Sequence, residues 1–440
     1  MINRRWLTTY SLPIALAAGA CANGDPSRDL MTTNSSPAEP AAQATSLALT
    51  TGTVRESTQT INAAVATEAP AAFDGLTNGF STQAQMDAAA DIFREQEQLA
   101  DGLGPVYNAQ SCGECHQNPV TGAASQVSEF RTGHFDGFNF IDPPGGSLNN
   151  DRAISPDIQE RILAGQEVRT FRITTNILGD GFVEAIDSAT LLAISNGQPA
   201  SMRGQFIQIP VTEAPGNNRA GRFGWKNQHA SLVSFAADAY LNEMGITSPL
   251  QPTENTSNGT SVAAFDTVAD PEDTGGVNGV DIDAFALFMR STKAPPRDTV
   301  AAATASATTG SSLFDSIGCA TCHVRTIQTS PAGTVINGGA FTVPAALGDK
   351  IIHPFSDFLL HDVGTGDGIV QNGGQSTRTK LRTPPLWGLR ARPRLMHDGA
   401  SVSRTDAITR HSNEAAGVVS SFNALSTTQR NNIIDFLNSL

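Results

Sequence analysis

The chain is poor in cysteine and in the larger aromatic residues, with five Cys, three Trp and three Tyr among 440 residues. So few cysteines exclude a small scaffold held together by disulfide bonds. Basic residues are also scarce, since 28 Lys and Arg face 42 Asp and Glu, and the formal net charge is −14. This acidic balance argues against a nucleic-acid partner and fits a soluble protein.

The N-terminus has the features of an export signal. Two arginines precede an apolar stretch at 6–20, which a proline interrupts and which is too short to span a bilayer. Ala18 and Ala20 suit signal-peptidase cleavage, and Cys21 directly after them resembles the lipidated cysteine of a bacterial lipoprotein. We therefore expect a signal peptide at 1–20 and a periplasmic protein tethered to a membrane through a lipid on Cys21.

The rest of the chain divides by composition. Residues 21–78 are rich in Ala, Thr, Ser and Pro, which predicts a disordered tether. We then expect a first domain at 79–300 and a second at 301–440. Helical periodicity begins near Met86 and returns at 229–244 and 281–290, and Ser426 is the expected N-cap of a closing helix. The stretch 117–222 is irregular and predicts loops and small β-hairpins.

The four remaining cysteines form two similar sequences, Cys112-Gly-Glu-Cys115-His116 and Cys319-Ala-Thr-Cys322-His323. Two residues between the cysteines let both sulfurs reach the vinyl groups of one porphyrin, and the next residue, a His, can bind the iron. A four-Cys zinc site and two redox disulfides are the alternatives, but neither explains the His after each pair. We therefore predict two covalently bound haem c groups, with His116 and His323 as iron ligands.

Several segments resemble the bacterial dihaem cytochrome c peroxidases. Residues 223–232 and 242–244 resemble their Phe-Trp-Asp-Gly-Arg…Glu-Met stretch, and residues 383–389 resemble their Thr-Pro-x-Leu-Arg-Asn segment. The strings at 360–368 and 392–400 are typical of the related branch, the bacterial dihaem oxidoreductases. The segments occur in the same order, and the resemblance covers about residues 80–440.

The resemblance implies a mainly α fold made of two cytochrome c-like domains, with loops and small β-hairpins in the first. It also implies roles for particular residues. Trp225 would lie between the haems and assist electron transfer, and Glu243 would move protons over the open haem, a task that suits a carboxylate. The second ligand of the C-terminal haem falls on His411, with Met396 as the runner-up. His397 is expected near the inter-haem region.

Some positions depart from the family pattern. Lys226 and Gln228 replace an Asp and an Arg, and Pro393 is displaced by one residue relative to His-Asp-Gly. These changes leave open whether the calcium ion that the resemblance implies is present. His134 is a further candidate, as a loop residue that could cap the first haem.

The function implied is a dihaem oxidoreductase that reduces hydrogen peroxide. Electrons would pass from the C-terminal to the N-terminal haem and come from a small soluble cytochrome or a cupredoxin. Two alternatives remain open at this stage: a non-catalytic dihaem electron carrier, and a dihaem oxidase or dioxygenase acting on an organic or protein substrate. The enzymatic interpretations need one haem with an open face, whereas the electron carrier needs none.

Protein exported by a host competent in cytochrome maturation should carry both haems. The intact mass should rise by two haem groups, and a pyridine haemochrome should appear. Because each haem needs its own thioether bonds, the variant with both Cys112→Ala and Cys115→Ala should lose half of the haemochrome absorbance. Wild-type protein with neither the mass increase nor the haemochrome would disprove the assignment.

Overall fold

The computed structural model describes residues 66–270 and 280–440. The predicted signal peptide, Cys21 and most of the predicted tether lie outside the described residues. No helix in the described ranges is long and apolar enough to cross a membrane. Helix (34%) exceeds strand (15%), so the mainly α prediction holds in part, and strands contribute more than small hairpins.

The α-helices are short and are separated by long connections. In chain order they are α1 (Gln83–Arg94), α2 (Cys112–Cys115), α3 (Asp180–Glu184), α4 (Ser188–Gly197), α5 (Leu232–Ala239), α6 (Val280–Ser291), α7 (Thr299–Ala302), α8 (Ala305–Ser316), α9 (Arg404–Thr409), α10 (Ala416–Ala424) and α11 (Thr427–Asn438). A π-helical turn, Tyr240–Met244, extends α5.

The strands form small separate sheets. In chain order they are β1 (Thr67–Glu68), β2 (Val106–Tyr107), β3 (Ser128–Phe135), β4 (Phe140–Ile141), β5 (Leu148–Asn149), β6 (Arg152–Ala153), β7 (Val168–Ile173), β8 (Gln208–Pro210), β9 (Asn218–Ala220), β10 (Ile327–Gln328), β11 (Val335–Ile336), β12 (Phe341–Thr342), β13 (Lys350–Ile352), β14 (Leu360–His361) and β15 (Leu381–Arg382). The longest pairing is antiparallel, between β3 and β7, and it places Phe130 opposite Phe171. Those two rings lie 4.9 Å apart.

Local sequence signals explain where the helices begin. Thr82 and Gln85 form a capping box at the start of α1. Ser426 and Gln429 form another at α11, which confirms the predicted N-cap. Each box satisfies backbone N–H groups that have no partner within the helix. The predicted helix at 281–290 is α6, and the period predicted at 229–244 corresponds to α5 with its π-helical turn.

The hydrophobic residues gather in two main clusters. The larger one joins α1, α5 and α6 and also includes side chains far along the chain, such as Ile327, Val343 and Trp387. The second is formed by α8, α10 and α11 around Phe314 and Phe436. The large cluster therefore draws on both sides of residue 300, and the predicted two-domain division stays a prediction.

Two stretches differ from the sequence expectation. Residues 66–78, assigned to the tether, are hydrogen-bonded to the core: β1 pairs in parallel with β13, and Asn78 donates its backbone N–H to Ser291. These bonds offset the ordering cost that composition alone suggests. The stretch 117–222, predicted to hold only loops and hairpins, also contains α3 and α4. Asp187 caps α4, and Leu191 of that helix is fully buried.

Close packing of α8 on α11 gives a testable consequence. A Cβ at Gly310 would overlap the backbone carbonyl of Asn432 in α11. Gly310→Ala should therefore lower the free energy of unfolding by about 1–3 kcal/mol, as overpacking does. Gly417→Ala is the control, because nothing lies within 4 Å of a Cβ there. Denaturant unfolding of both holoprotein variants tests this, and equal stabilities would contradict the packing.

Candidate active site

The first cavity is built around α2. The Ser111 hydroxyl caps this helix by accepting a hydrogen bond from the backbone N–H of Glu114 at 3.1 Å. A single helical turn places residues three and four apart on the same face. Cys112, Cys115 and His116 therefore line one cavity, which has about 2110 Å³ of empty space when its open mouth is included.

His116 is suited to binding a metal. Burial lowers the pKa of His116 to about 4, so the ring is neutral at pH 7 and keeps a lone pair for a ligand. Its Nδ1 atom is buried without a hydrogen-bond partner among the described residues. The ring packs edge-on against Phe93, with centroids 6.1 Å apart, which orients the imidazole.

The second cavity repeats this arrangement. Cys319, Cys322 and His323 line about 1300 Å³ of empty space, mouth included. His323 Nδ1 lies 3.0 Å from the Phe355 carbonyl, so Nδ1 donates and Nε2 keeps its lone pair. Burial lowers the pKa of His323 to about 4, and this ring is also neutral at pH 7.

Both candidates for the second ligand line this cavity. His411 follows α9 and donates its Nδ1 proton to the Ala407 carbonyl at 2.7 Å, which leaves Nε2 as the available ligand atom. Met396 lies in the same wall, with a left-handed backbone at φ 65°. The structure therefore brings both residues to the cavity that holds His323.

These cavities have the size and donor set for two haems. The four cysteines are free thiols and divide between the two cavities, so they do not gather into one four-Cys zinc site. Burial raises the pKa of Cys115 and of Cys319 to about 12, which makes both thiols poor thiolate ligands. Two cavities, each with paired thiols and a neutral imidazole, fit covalent haem.

Trp225 lies in the walls of both cavities. Its indole N–H donates to the carbonyl of Ile173, at the end of β7, at 2.9 Å. The ring of His397 meets it edge-on, with centroids 6.2 Å apart. The structure thus places Trp225 between the cavities and His397 beside it.

Glu243 lies on the π-helical turn and lines the first cavity. Asn108 donates its side-chain N–H to Glu243 Oε2 at 2.8 Å. Burial, followed by the negative charge of Glu129, raises the pKa of Glu243 to about 8. A carboxyl group with this pKa can both hold and release a proton near neutral pH.

An ion pair in the same cavity was missed by the sequence reasoning. Arg131 binds Glu129 through two hydrogen bonds, of 2.6 and 3.0 Å, and Arg172 lies 3.4 Å from the same carboxylate. Burial acts to raise the pKa of Glu129, but the two arginines outweigh it and hold this pKa below its usual value. Glu129 and Arg131 lie two residues apart on β3, a spacing too common to indicate a site, and Arg172 joins them only because β3 pairs with β7.

A second missed group surrounds His361 in the other cavity. Its ring nitrogens lie 2.8 Å from Asp357 and 2.7 Å from Glu414, and Cys322 Sγ is 3.6 Å away. Burial opposes a charge on this ring, but hydrogen bonds to Asp357, Cys322 and Glu414 raise the pKa of His361 to about 12. The imidazolium is therefore permanent. His361 lies in the string 360–368, which is typical of the dihaem oxidoreductases but does not by itself indicate a role for this ring.

His134 does not belong to either cavity. It lies on β3, where its Nδ1 is 2.9 Å from Glu167, and its side chain is 43% exposed. Neither cavity includes it among its wall residues. In this structure it therefore does not reach the position needed to cap the first haem.

Comparison with known proteins identifies a family for most of the chain. The model of the family described as "Di-haem oxidoreductase, putative peroxidase" matches residues 141–440. The matched range includes the second Cys-x-x-Cys-His sequence and begins after the first. No curated protein gives a significant match.

Several solved structures are similar over most of their length. Hydrazine synthase of Kuenenia stuttgartiensis is 15% identical, with a TM-score of 0.40, over 89% of this chain and 99% of that one. A MauG-like protein associated with microbial copper homeostasis is 13% identical, with a TM-score of 0.38, over 86% and 93%. The diheme peroxidase BthA of Burkholderia thailandensis is 14% identical, with a TM-score of 0.36, over 81% and 86%.

The second-ligand prediction can be tested by spectroscopy. In the holoprotein, His411→Ala should convert a low-spin haem to a high-spin one, because a strong axial ligand is removed. His134→Ala is the matched control and should leave the spectrum unchanged. A low-spin spectrum that survives His411→Ala but not Met396→Ala would assign the ligand to Met396 instead.

Proposed function

Because the chain belongs to the di-haem oxidoreductase family, we propose that it is a periplasmic c-type cytochrome that reduces hydrogen peroxide. One observation carries the proposal: two cavities, each lined by one Cys-x-x-Cys-His set, share the wall residue Trp225, and the first also contains Glu243. Chemistry and electron supply would thus be divided between two adjoining sites.

The side chains that would hold the cofactors are already in place. Cys112, Cys115 and His116 would hold the first haem, and Cys319, Cys322 and His323 the second, with His411 preferred to Met396 as its further ligand. When bound, a haem iron with an open face supplies the position at which peroxide is reduced.

The two cavities differ in a way that favours an enzyme over an electron carrier. Among the described residues, His116 is the one histidine that lines the first cavity, whereas four histidines line the second. Met244 and Met289 also line the first cavity, but both are buried in the large hydrophobic cluster. We therefore expect an open face in the first cavity.

Glu243 is the proposed proton carrier. Reduction of hydrogen peroxide to two water molecules consumes two electrons and two protons, and cleavage of the O–O bond is easier when the leaving oxygen carries a second proton. The Glu243 carboxylate would accept a proton from one peroxide oxygen and deliver it to the other, which leaves as water. Asn108 fixes one carboxylate oxygen with its hydrogen bond of 2.8 Å.

Trp225 would assist electron transfer from the second cavity to the first. Its position in both walls and its fixed indole N–H support this role. The electrons would come from a small soluble cytochrome or a cupredoxin. The export signal and a lipid on Cys21 would hold the protein at a periplasmic membrane, and the intact mass of the mature protein reports that lipid directly.

Glu243→Gln tests the acid–base role. The variant should lose about 100-fold or more in peroxide turnover with a reduced cytochrome, because the amide cannot exchange a proton. In the wild type, kcat/KM should rise with pH up to about 8, as Glu243 ionises, and the variant should lack this rise.

Glu254→Gln is the matched control. Burial, with help from Asp266 and Asp270, also raises the pKa of Glu254 to about 8, but this residue does not line the first cavity. The control should keep wild-type turnover and pH profile. An unchanged rate in Glu243→Gln would remove Glu243 from the mechanism.

The optical spectrum of the holoprotein separates the proposal from the carrier alternative. A high-spin band that responds to peroxide is expected. Two low-spin haems that ignore peroxide would overturn the enzymatic proposal. Peroxide binding without turnover by any reduced cytochrome would point to an oxidase or dioxygenase.

A further inference from the structure

A lysine side chain is completely enclosed beside Trp225. Lys226 is 1% exposed in its side chain, although lysine is rarely buried without strong compensation. It comes directly after Trp225, the residue that lines both cavities. Its ammonium group takes no part in the proposed peroxide chemistry, so the cause of its burial must lie in its surroundings.

Four oxygen atoms surround Nζ of this lysine. The backbone carbonyls of Thr377, Arg378 and Lys380 lie at 2.9, 3.2 and 2.6 Å. A carboxylate oxygen of Asp367 lies at 2.9 Å. We call these four groups the oxygen cage. Three carbonyls and one carboxylate are the kind of ligand set that proteins use for hard cations.

The dimensions of the oxygen cage suit an ammonium group. Calcium takes six to eight oxygens at about 2.3–2.6 Å, which is shorter than three of these four distances. The ammonium also carries three donors on a four-carbon stem anchored next to Trp225. The oxygen cage as built therefore does not fit a calcium ion, and the chain already supplies its cation.

The charges on either side explain why the ammonium stays ionised. Burial lowers the pKa of Lys226 to about 8, and the Asp367 carboxylate opposes that shift, so the group is mostly charged at neutral pH. Asp367 also accepts a hydrogen bond from Arg172 Nε at 2.8 Å, and Arg172 lies 3.4 Å from Glu129 in the wall of the first cavity. The oxygen cage is thus linked to that wall by alternating charges.

The oxygen cage holds Lys226, and two hydrogen bonds from Arg382 hold the two residues before it. Lys226 binds the carbonyl of Lys380, while the Arg382 N–H donates to the Trp225 carbonyl at 2.8 Å. The Arg382 side chain donates to the Gly224 carbonyl, also at 2.8 Å. Residues 224–226 are therefore bound to residues 380–382 at three consecutive positions.

We propose that Lys226 is a built-in cation that occupies an oxygen-lined cation site and, through it, positions Trp225. The site replaces an exchangeable metal ion with a group that cannot dissociate. The cage itself is independent of the peroxidase proposal, whereas the consequence for electron transfer through Trp225 rests on it.

Shortening the lysine should convert the cage into a binding site for a free monovalent cation. The holoprotein of Lys226→Ala should unfold roughly 5–10 °C below the wild type in tetramethylammonium chloride, because three carbonyls lose the ammonium group and Asp367 loses one of its two cationic partners. Ammonium or potassium chloride at equal ionic strength should restore at least half of that loss, since these ions fit a gap in which tetramethylammonium is too large.

Lys350→Ala is the control, because it removes a lysine whose Nζ is bound only to Thr67 at the surface. This variant and the wild type should show no such preference among the three salts. Equal unfolding temperatures for Lys226→Ala in all three salts would overturn the cation-site proposal.

Chemical modification gives an answer even if Lys226→Ala does not fold. Native wild-type holoprotein would be treated with acetic anhydride and each lysine followed by mass spectrometry. Lys226 should react at least 100-fold more slowly than Lys293 and Lys350, because all three of its protons are directed at cage oxygens. Acetylation of Lys226 at the rate of those two would overturn the proposal.

Peroxide turnover then tests positioning separately. Ammonium chloride should restore the turnover of Lys226→Ala together with its stability. Restored stability without restored turnover would overturn the positioning of Trp225 and leave the cation site standing. Absence of turnover in the wild type would instead count against the peroxidase function, while the stability and modification results would be unaffected.

Discussion

The hydrogen bond from the Trp225 indole N–H to the Ile173 carbonyl holds in place a side chain that lines both cavities. Ile173 ends β7, and β7 pairs with β3, which carries Glu129 and Arg131 into the first cavity. The position of Trp225 therefore depends on the β3–β7 sheet rather than on either Cys-x-x-Cys-His sequence. The polar lining of the first cavity depends on that same pairing.

Electrostatics distinguishes the two cavities more clearly than their shape does. The first combines a carboxyl group of raised pKa with a carboxylate held ionised by arginines, so protons can be stored and moved there. The second contains an imidazolium between two carboxylates, which stays charged at any physiological pH. The proposed proton exchange would therefore use the first cavity, whereas the charge on His361 is constant near neutral pH.

Sequence reasoning located the residues whose chemistry is local and missed those whose chemistry is assembled. Cysteine spacing predicted which residues share each cavity, because the two cysteines and the following His lie within one short turn. Ser426 was predicted because a capping box lies within four residues. Glu129, Arg131 and the Asp357–His361–Glu414 group could not be found that way. Glu129 and Arg131 lie only two residues apart, and Asp357 and His361 four, but such spacings are common. Arg172 and Glu414, which complete the two groups, come from distant segments. Lys226 was visible only as a departure from a family motif, with no indication that four oxygens surround it.

The short strand β1 has a consequence for any force that acts on the chain before it. Because Thr67 and Glu68 are hydrogen-bonded alongside β13, the chain enters the folded region at a defined point on the surface. A pull on the preceding segment would therefore load the β1–β13 hydrogen bonds before it reached the hydrophobic clusters.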